Sequence, residues 1–138
     1  MKQYIGTKMV RAVPAPKDGV AGYNVYYSGG YLSWSPKDVF EKAYLPVETN
    51  PNLKTDAPSI SQKMVDDFIV SHDTMTLGGK CTVVRAVLRN GFAVVESSEC
   101  VSAENYDEKM GEEICMERIK NKVWELLGFL LQSAVHGI

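Results

Sequence analysis

The chain has 138 residues, 45% hydrophobic and 23% charged, with a formal net charge of −2. That is enough for one compact domain or a small domain with an appendage, and it excludes a disordered tail or a staple-dependent mini-protein. A net acidic balance argues against a general binder of duplex nucleic acid, and three cysteines without C-x-x-C spacing indicate neither a disulfide framework nor a zinc site.

A signal peptide and a membrane span are both absent from the pattern, because no apolar run has the needed length. The expectation is a protein of a reducing cytoplasm, with no membrane partner and no cofactor. Residues 3–12 read as a strand closed by Pro14 and Pro16. YNVYYSGGYLSW follows as two aromatic runs about Gly29-Gly30, whose freedom at positive φ suits a two-residue hairpin turn. Tyr23, Tyr26, Tyr27, Tyr31 and Trp34 form either a binding surface or an ordinary aromatic hairpin face.

Ser35 then precedes Pro36 and Asp38, a pattern that caps and starts a helix over residues 36–44. Three prolines within LPVETNPNLKTDAPS mark a linker. The expected organisation is therefore an antiparallel β module with a short helix over 1–45, a linker over 46–59, and a helix–hairpin–long-helix module over 60–138. In the last, Ser61 caps a short helix carrying Met64, Val65, Phe68 and Ile69. The triad residue types in Ser71-His72-Asp73 are adjacent in sequence, which suits a turn or cap better than catalysis.

VVRAVLRNGFAVVESSE, residues 83–99, reads as a hairpin on a two-residue Asn90-Gly91 type I′ turn. That register pairs Arg89 with Phe92 and Arg85 with Glu96. One face then carries Val84, Ala86, Leu88, Ala93 and Val95 as core; the other carries Arg85, Val87, Arg89, Phe92, Val94 and Glu96. An aromatic ring among guanidinium groups suits a stacked, anionic ligand, while a half-covered sheet face with an Arg85–Glu96 pair is the plain alternative.

From Ser102 to about Ser133 a long helix is expected. Its stripe of Cys115, Ile119, Val123, Leu126, Leu130 and Ala134, widened by Met116, Leu127 and Leu131, is broader than one small sheet requires. A homo-oligomer, dimer or higher, assembled through this helix is the economical expectation. Arg118 and Lys122 stand one turn apart at the stripe's edge, where they hold an anion or form a solvated row with Glu125. The fold class is thus α+β: antiparallel hairpins with a long C-terminal helix that mediates oligomerisation. Neither a P-loop, a dinucleotide fingerprint, a zinc-protease helix nor a nucleophile elbow is present, so no enzyme is expected.

GGYLSWSPKDVFEKAY together with LRNGFAVVESSECVSAENYDEKMGEEICMERIKNKVWELLGFLL resembles the phage Thoeris anti-defence proteins of the first type. The resemblance implies a non-catalytic homo-oligomer, a dimer or higher with a hexamer among the candidate sizes, that sequesters glycocyclic ADP-ribose signals made by bacterial TIR-domain enzymes in the host cytoplasm, in pockets at subunit interfaces. Some members are similar in also binding cyclic oligonucleotides at a separate site. The resemblance further implies that Phe92 and Arg118 grip the ligand, with Lys122 where a second helix arginine is expected; Arg89, Arg85 and Asn90 are supporting candidates. The rival readings are a phage protein-interaction module using the apolar stripe and an enzyme that degrades the signal.

Overall fold

A computed structural model describes residues 1–138. It contains two separate three-stranded antiparallel sheets and a long C-terminal helix, an α+β fold. The chain divides into two compact units, one comprising 1–47 with 130–138, the other 48–129.

In the first unit β1 (Arg11–Pro14), β2 (Gly22–Tyr26) and β3 (Leu32–Pro36) form a meander, followed by α1 (Lys37–Ala43). The first strand is shorter and later than 3–12, since only 11–14 find a partner in β2, and an unpaired strand leaves its backbone groups to water. Asp18 and Gly19 both take positive φ, 50° and 77°, between the mutually hydrogen-bonded Lys17 and Val20. That is a type I′ turn, here on Asp-Gly. At the expected Gly29-Gly30 turn only Gly30 is left-handed, and Tyr27 accepts from Gly30 N and donates to Tyr31 O, which makes a three-residue loop with a bulge. Pro36 takes the cap position of α1 while Ser35 stays in β3, so Ser35 is not the cap. Tyr23 stacks on Phe40 at 4.4 Å and Phe40 on Tyr44 at 4.9 Å, which packs α1 on the Val25 side of the sheet.

The second unit opens with α2 (Gln62–Phe68), capped by Ser61 Oγ accepting from Met64 N as the sequence suggests. The next residues differ from expectation: Ile69–Leu77 is a nine-residue strand, β4, so Ser71-His72-Asp73 lies in a strand and not in a turn. β4, β5 (Cys81–Leu88) and β6 (Ala93–Glu99) form the second meander. After the one-turn helix at Ala103–Asn105, which Ser102 caps, α3 runs from Glu108 to His136. Its start is capped by Asp107 Oδ1, which accepts from Lys109 N and Met110 N, so the helix begins later than a Ser102 cap implied.

The core of this unit lies between α3 and one face of the sheet. Gly111, Cys115, Ile119, Val123 and Leu127 form an i, i+4 row that is buried along its length, against Val84, Ala86, Leu88 and Val94. Burying each aliphatic side chain in that row contributes about 1.5–3 kcal/mol. The helix can come this close because Gly111 has no Cβ: one placed there would lie 2.7 Å from Thr82 Cβ. Beside this seam the helix start is held by polar contacts. Tyr106 Oη meets Thr82 Oγ1 at 2.8 Å and Thr76 Oγ1 at 2.7 Å, Thr76 donates to Glu108, and Thr74 donates to Glu112 at 2.5 Å.

Candidate functional site

The register of the β5–β6 hairpin decides what meets what. Leu88 N donates to Phe92 O and Gly91 N to Leu88 O, both at 2.8 Å, while Gly91 alone is left-handed, φ 86°. The loop is therefore Arg89-Asn90-Gly91, a three-residue turn with a glycine bulge, and the two-residue type I′ turn is corrected. Two physical causes favour it. Only glycine takes a positive φ here, whereas a type I′ turn would ask one of Asn90 as well, and Arg89 N is freed to donate to Phe68 O at 2.8 Å.

The pairing accordingly slips by one: Val87 faces Ala93, Ala86 faces Val94, Arg85 faces Val95 and Val84 faces Glu96. On β5 the expected core face stands. On β6 it inverts, with Val94 buried and Val95 exposed. Glu96 moves to the face that α3 covers, and Arg85 remains on the opposite one, cross-strand from Asp73 and Val95. An Arg85–Glu96 pair is thereby corrected to Lys122–Glu96, Nζ to Oε1 2.7 Å.

The slip gathers part of the candidate set. Next to the buried row on α3 runs a second i, i+4 row, Met110, Ile114, Arg118, Lys122 and Leu126, which borders β6. Arg118 Nη1 donates to the Ser97 carbonyl at 2.6 Å, and β6 is an edge strand, so the guanidinium occupies an acceptor that no strand pairs. One turn later Lys122 reaches Glu96. Another turn on, Leu126 joins Phe92, Lys122, Glu125 and the Ala93–Val95 strand segment in lining an open cavity of about 400 Å³. Phe92 is 59% exposed at its rim.

The electrostatics are those of an occupied but accessible cation. The hydrogen bond from Lys122 holds the Glu96 carboxyl below the usual carboxylate range against the opposing effect of burial, and Arg118 lowers it further. Lys122 remains half exposed, at 50% of its side chain against 20% for Glu96. An ammonium has three donors, so Glu96 leaves others for an incoming anion. An aliphatic wall, a ring at the rim and a cation within one groove suit a small ligand that is planar at one end and anionic at the other.

Of the sequence candidates, Phe92 and Lys122 line this cavity and Arg118 stands one helical turn from it. Asn90 is a turn residue: its Oδ1 accepts from Phe92 N at 3.0 Å and so fixes where the ring starts. Arg89 lies in the loop itself, and Arg85 is on the far face of the sheet. Glu96, Glu125 and Leu126 were not among the candidates. The i+4 step from Lys122 to Leu126 was a usable signal for the last, whereas Glu96 depended on the register.

The chain matches the Phage protein (N4 Gp49/phage Sf6 gene 66) family over residues 60–135, which includes every candidate residue named above. No curated protein and no solved structure matches. No helix is long and apolar enough to cross a membrane. With more than half of its length matched, the chain belongs to this phage protein family.

Proposed function

We propose that this phage protein binds and sequesters a cyclic ADP-ribose-type immune signal, of the glycocyclic ADP-ribose class, in the host cytoplasm and leaves it chemically intact. The observation that carries the reading is an exposed aromatic ring meeting a helix cation at one apolar groove, in a chain of a phage family. Phe92 stacks on the adenine, worth roughly 1–3 kcal/mol per base. Lys122 turns from Glu96 to the pyrophosphate, and Arg118 leaves the Ser97 carbonyl to join it, with Arg89 adding charge from the loop. Lysine supplies a point charge where arginine would supply a planar fork, so the pair grips phosphate with less directional preference than two arginines.

Suppressing a signal requires affinity near nanomolar, about −12 kcal/mol. One open groove encloses too little of a dinucleotide for that, so a second copy closes it. The row of Met110, Ile114 and Leu126 beside the two cations, exposed in the single chain, is the surface on which that copy packs. Assembly as a homo-oligomer through α3 is thus part of the proposal.

Native mass spectrometry of the protein incubated with a TIR-enzyme product mixture, and separately with cyclic oligonucleotides, tests the reading. The expected result is an oligomer carrying nucleotide that heat releases unaltered, with Phe92→Ala weakening binding at least about fivefold. Ligand-free oligomers in every mixture would overturn sequestration and leave the exposed helix row to a protein partner. A chemically altered nucleotide would instead assign the protein to signal degradation.

A further inference from the structure

The residues before the family match hold a second aromatic and cationic surface. Charge is unevenly divided along the chain: residues 1–47 contain six Lys/Arg and three Asp/Glu, a formal +3, against nine and fourteen in residues 48–138, a formal −5. The acidic total therefore conceals a basic N-terminal unit.

Strand register shows where its rings and cations lie. Arg11, Tyr26 and Leu32 are neighbours across the three strands, as are Val13, Asn24 and Trp34, and the two rows alternate onto one face. The other face holds Val25, buried at 1%, and Tyr23 stacked on α1. The Arg11 face is open, with Val13 50%, Tyr26 46% and Leu32 52% exposed. On it the Trp34 ring covers Gly22, where a Cβ would lie 2.6 Å from Cε2, and its Nε1 donates to Ala15 O at 2.6 Å. A ring tied down in this way is a fixed platform. Lys17 Nζ lies over the ring, 5.7 Å from its centroid, so a base that stacks on Trp34 displaces this ammonium toward the adjoining phosphate, and Arg11 stands beside Tyr26.

We propose that this face binds single-stranded nucleic acid, with bases stacking on Tyr26 and Trp34 and phosphates pairing with Arg11 and Lys17. A flat sheet bearing rings and interspersed cations matches the alternation of base and phosphate along a strand, and stacking accepts every base because each has a π-face. Paired bases in a duplex present only their edges, so a duplex gains the charge contacts without the stacking. An acidic protein would use Arg11 and Lys17 but leave the two rings without a planar partner.

Fluorescence anisotropy of labelled dT12 and U12 with the full-length protein, at 50 mM and 200 mM salt, tests this. Binding is expected at low salt and weakens as salt rises, because phosphate contacts release counterions. Tyr26→Ala lowers affinity at least about fivefold, the lower end of base–aromatic stacking, and Tyr26→Phe restores it. In a Trp124→Phe background the emission of Trp34 is quenched on addition of oligonucleotide. Phe92→Ala leaves all of this unchanged, which separates the outcome from that of the groove on β6 and α3. No anisotropy change would overturn the proposal. So would equal affinity for a blunt duplex, or equal competition by polyglutamate together with indifference to Tyr26→Ala, which would make the face a docking surface for an acidic protein.

Discussion

Both sheets are three-stranded meanders, and each admits a bulky neighbour over a glycine, but the two glycines serve different cores. In the second sheet the strands are seven to nine residues long, and Gly111 lets a helix settle on Thr82 so that an aliphatic row is buried from end to end. In the first sheet the strands have four or five residues, and Val25 is the one fully buried aliphatic side chain. There Gly22 admits a tryptophan ring, and rings stacked on α1 supply most of the packing. One core is a seam that tolerates nothing larger; the other is an aromatic surface with one face left open.

The largest effect is expected where the seam is tightest. Gly111→Val sets a branched side chain against Thr82, which is fully buried and cannot swing away. Inserting atoms into a packed core costs about 1–3 kcal/mol for modest overpacking, and here the first added atom already overlaps. A loss of about 3 kcal/mol or more in urea unfolding is therefore expected. Gly111→Ala decides between two opposed terms, because alanine gains up to about 1 kcal/mol in helix propensity. Net destabilisation shows that the seat on Thr82 outweighs it, and a stabilised Gly111→Ala protein would show that the helix is not seated there.

Gly22→Ala probes the other core. Its Cβ would meet the Trp34 ring and lie 2.5 Å from Ser35 O, so either the ring or the β2–β3 ladder must move. A loss of about 2 kcal/mol is expected, accompanied by a red shift of Trp34 emission as the indole is lifted off the sheet. Unchanged emission would show that the ring does not depend on the glycine. Gly128→Ala completes the set: this glycine is exposed on α3, and a Cβ would meet nothing within 4 Å. Here propensity acts alone, and a gain of up to about 1 kcal/mol is expected in the same urea titration.

The same contrast explains what could be read from the sequence. The long helix, the Ser61 cap and the existence of the β5–β6 hairpin follow from spacing and turn chemistry, since each is a local signal. β4 does not, because the side chains it turns toward α3 are His72, Thr74 and Thr76. Their polar partners, Glu112, Glu108 and Tyr106, come from residues 106–112, thirty or more positions away, and no periodicity of apolar residues reveals them. The hairpin register was hidden for another reason. Ala93-Val94-Val95 is an apolar run in which either valine can face the core, and a slip of one residue exchanges the faces. The candidate site depends on that slip: Phe92 and Lys122 were legible, whereas the place of Glu96 beside Lys122 and of Arg85 behind the sheet needed the register.

The smallest expected effect tests this register directly. Glu96 is held below the usual carboxylate range by Lys122 in the folded protein and has an ordinary value near 4.3 when unfolded. A depressed carboxylate contributes stability that is full above the unfolded value and is lost as pH falls through the folded one. Because Lys122 is half exposed, the contribution is less than about 1 kcal/mol. Wild type should therefore exceed Glu96→Gln slightly at pH 7 in urea unfolding, and the difference should fall away as the pH drops below the ordinary glutamate value of about 4.3. Lys122→Met should remove most of that pH dependence, Arg118 sustaining the remainder, while Arg85→Met leaves it intact. If Arg85→Met abolished it instead, the strands would pair as a two-residue Asn90-Gly91 turn requires, and the groove at Phe92 would lose its cation.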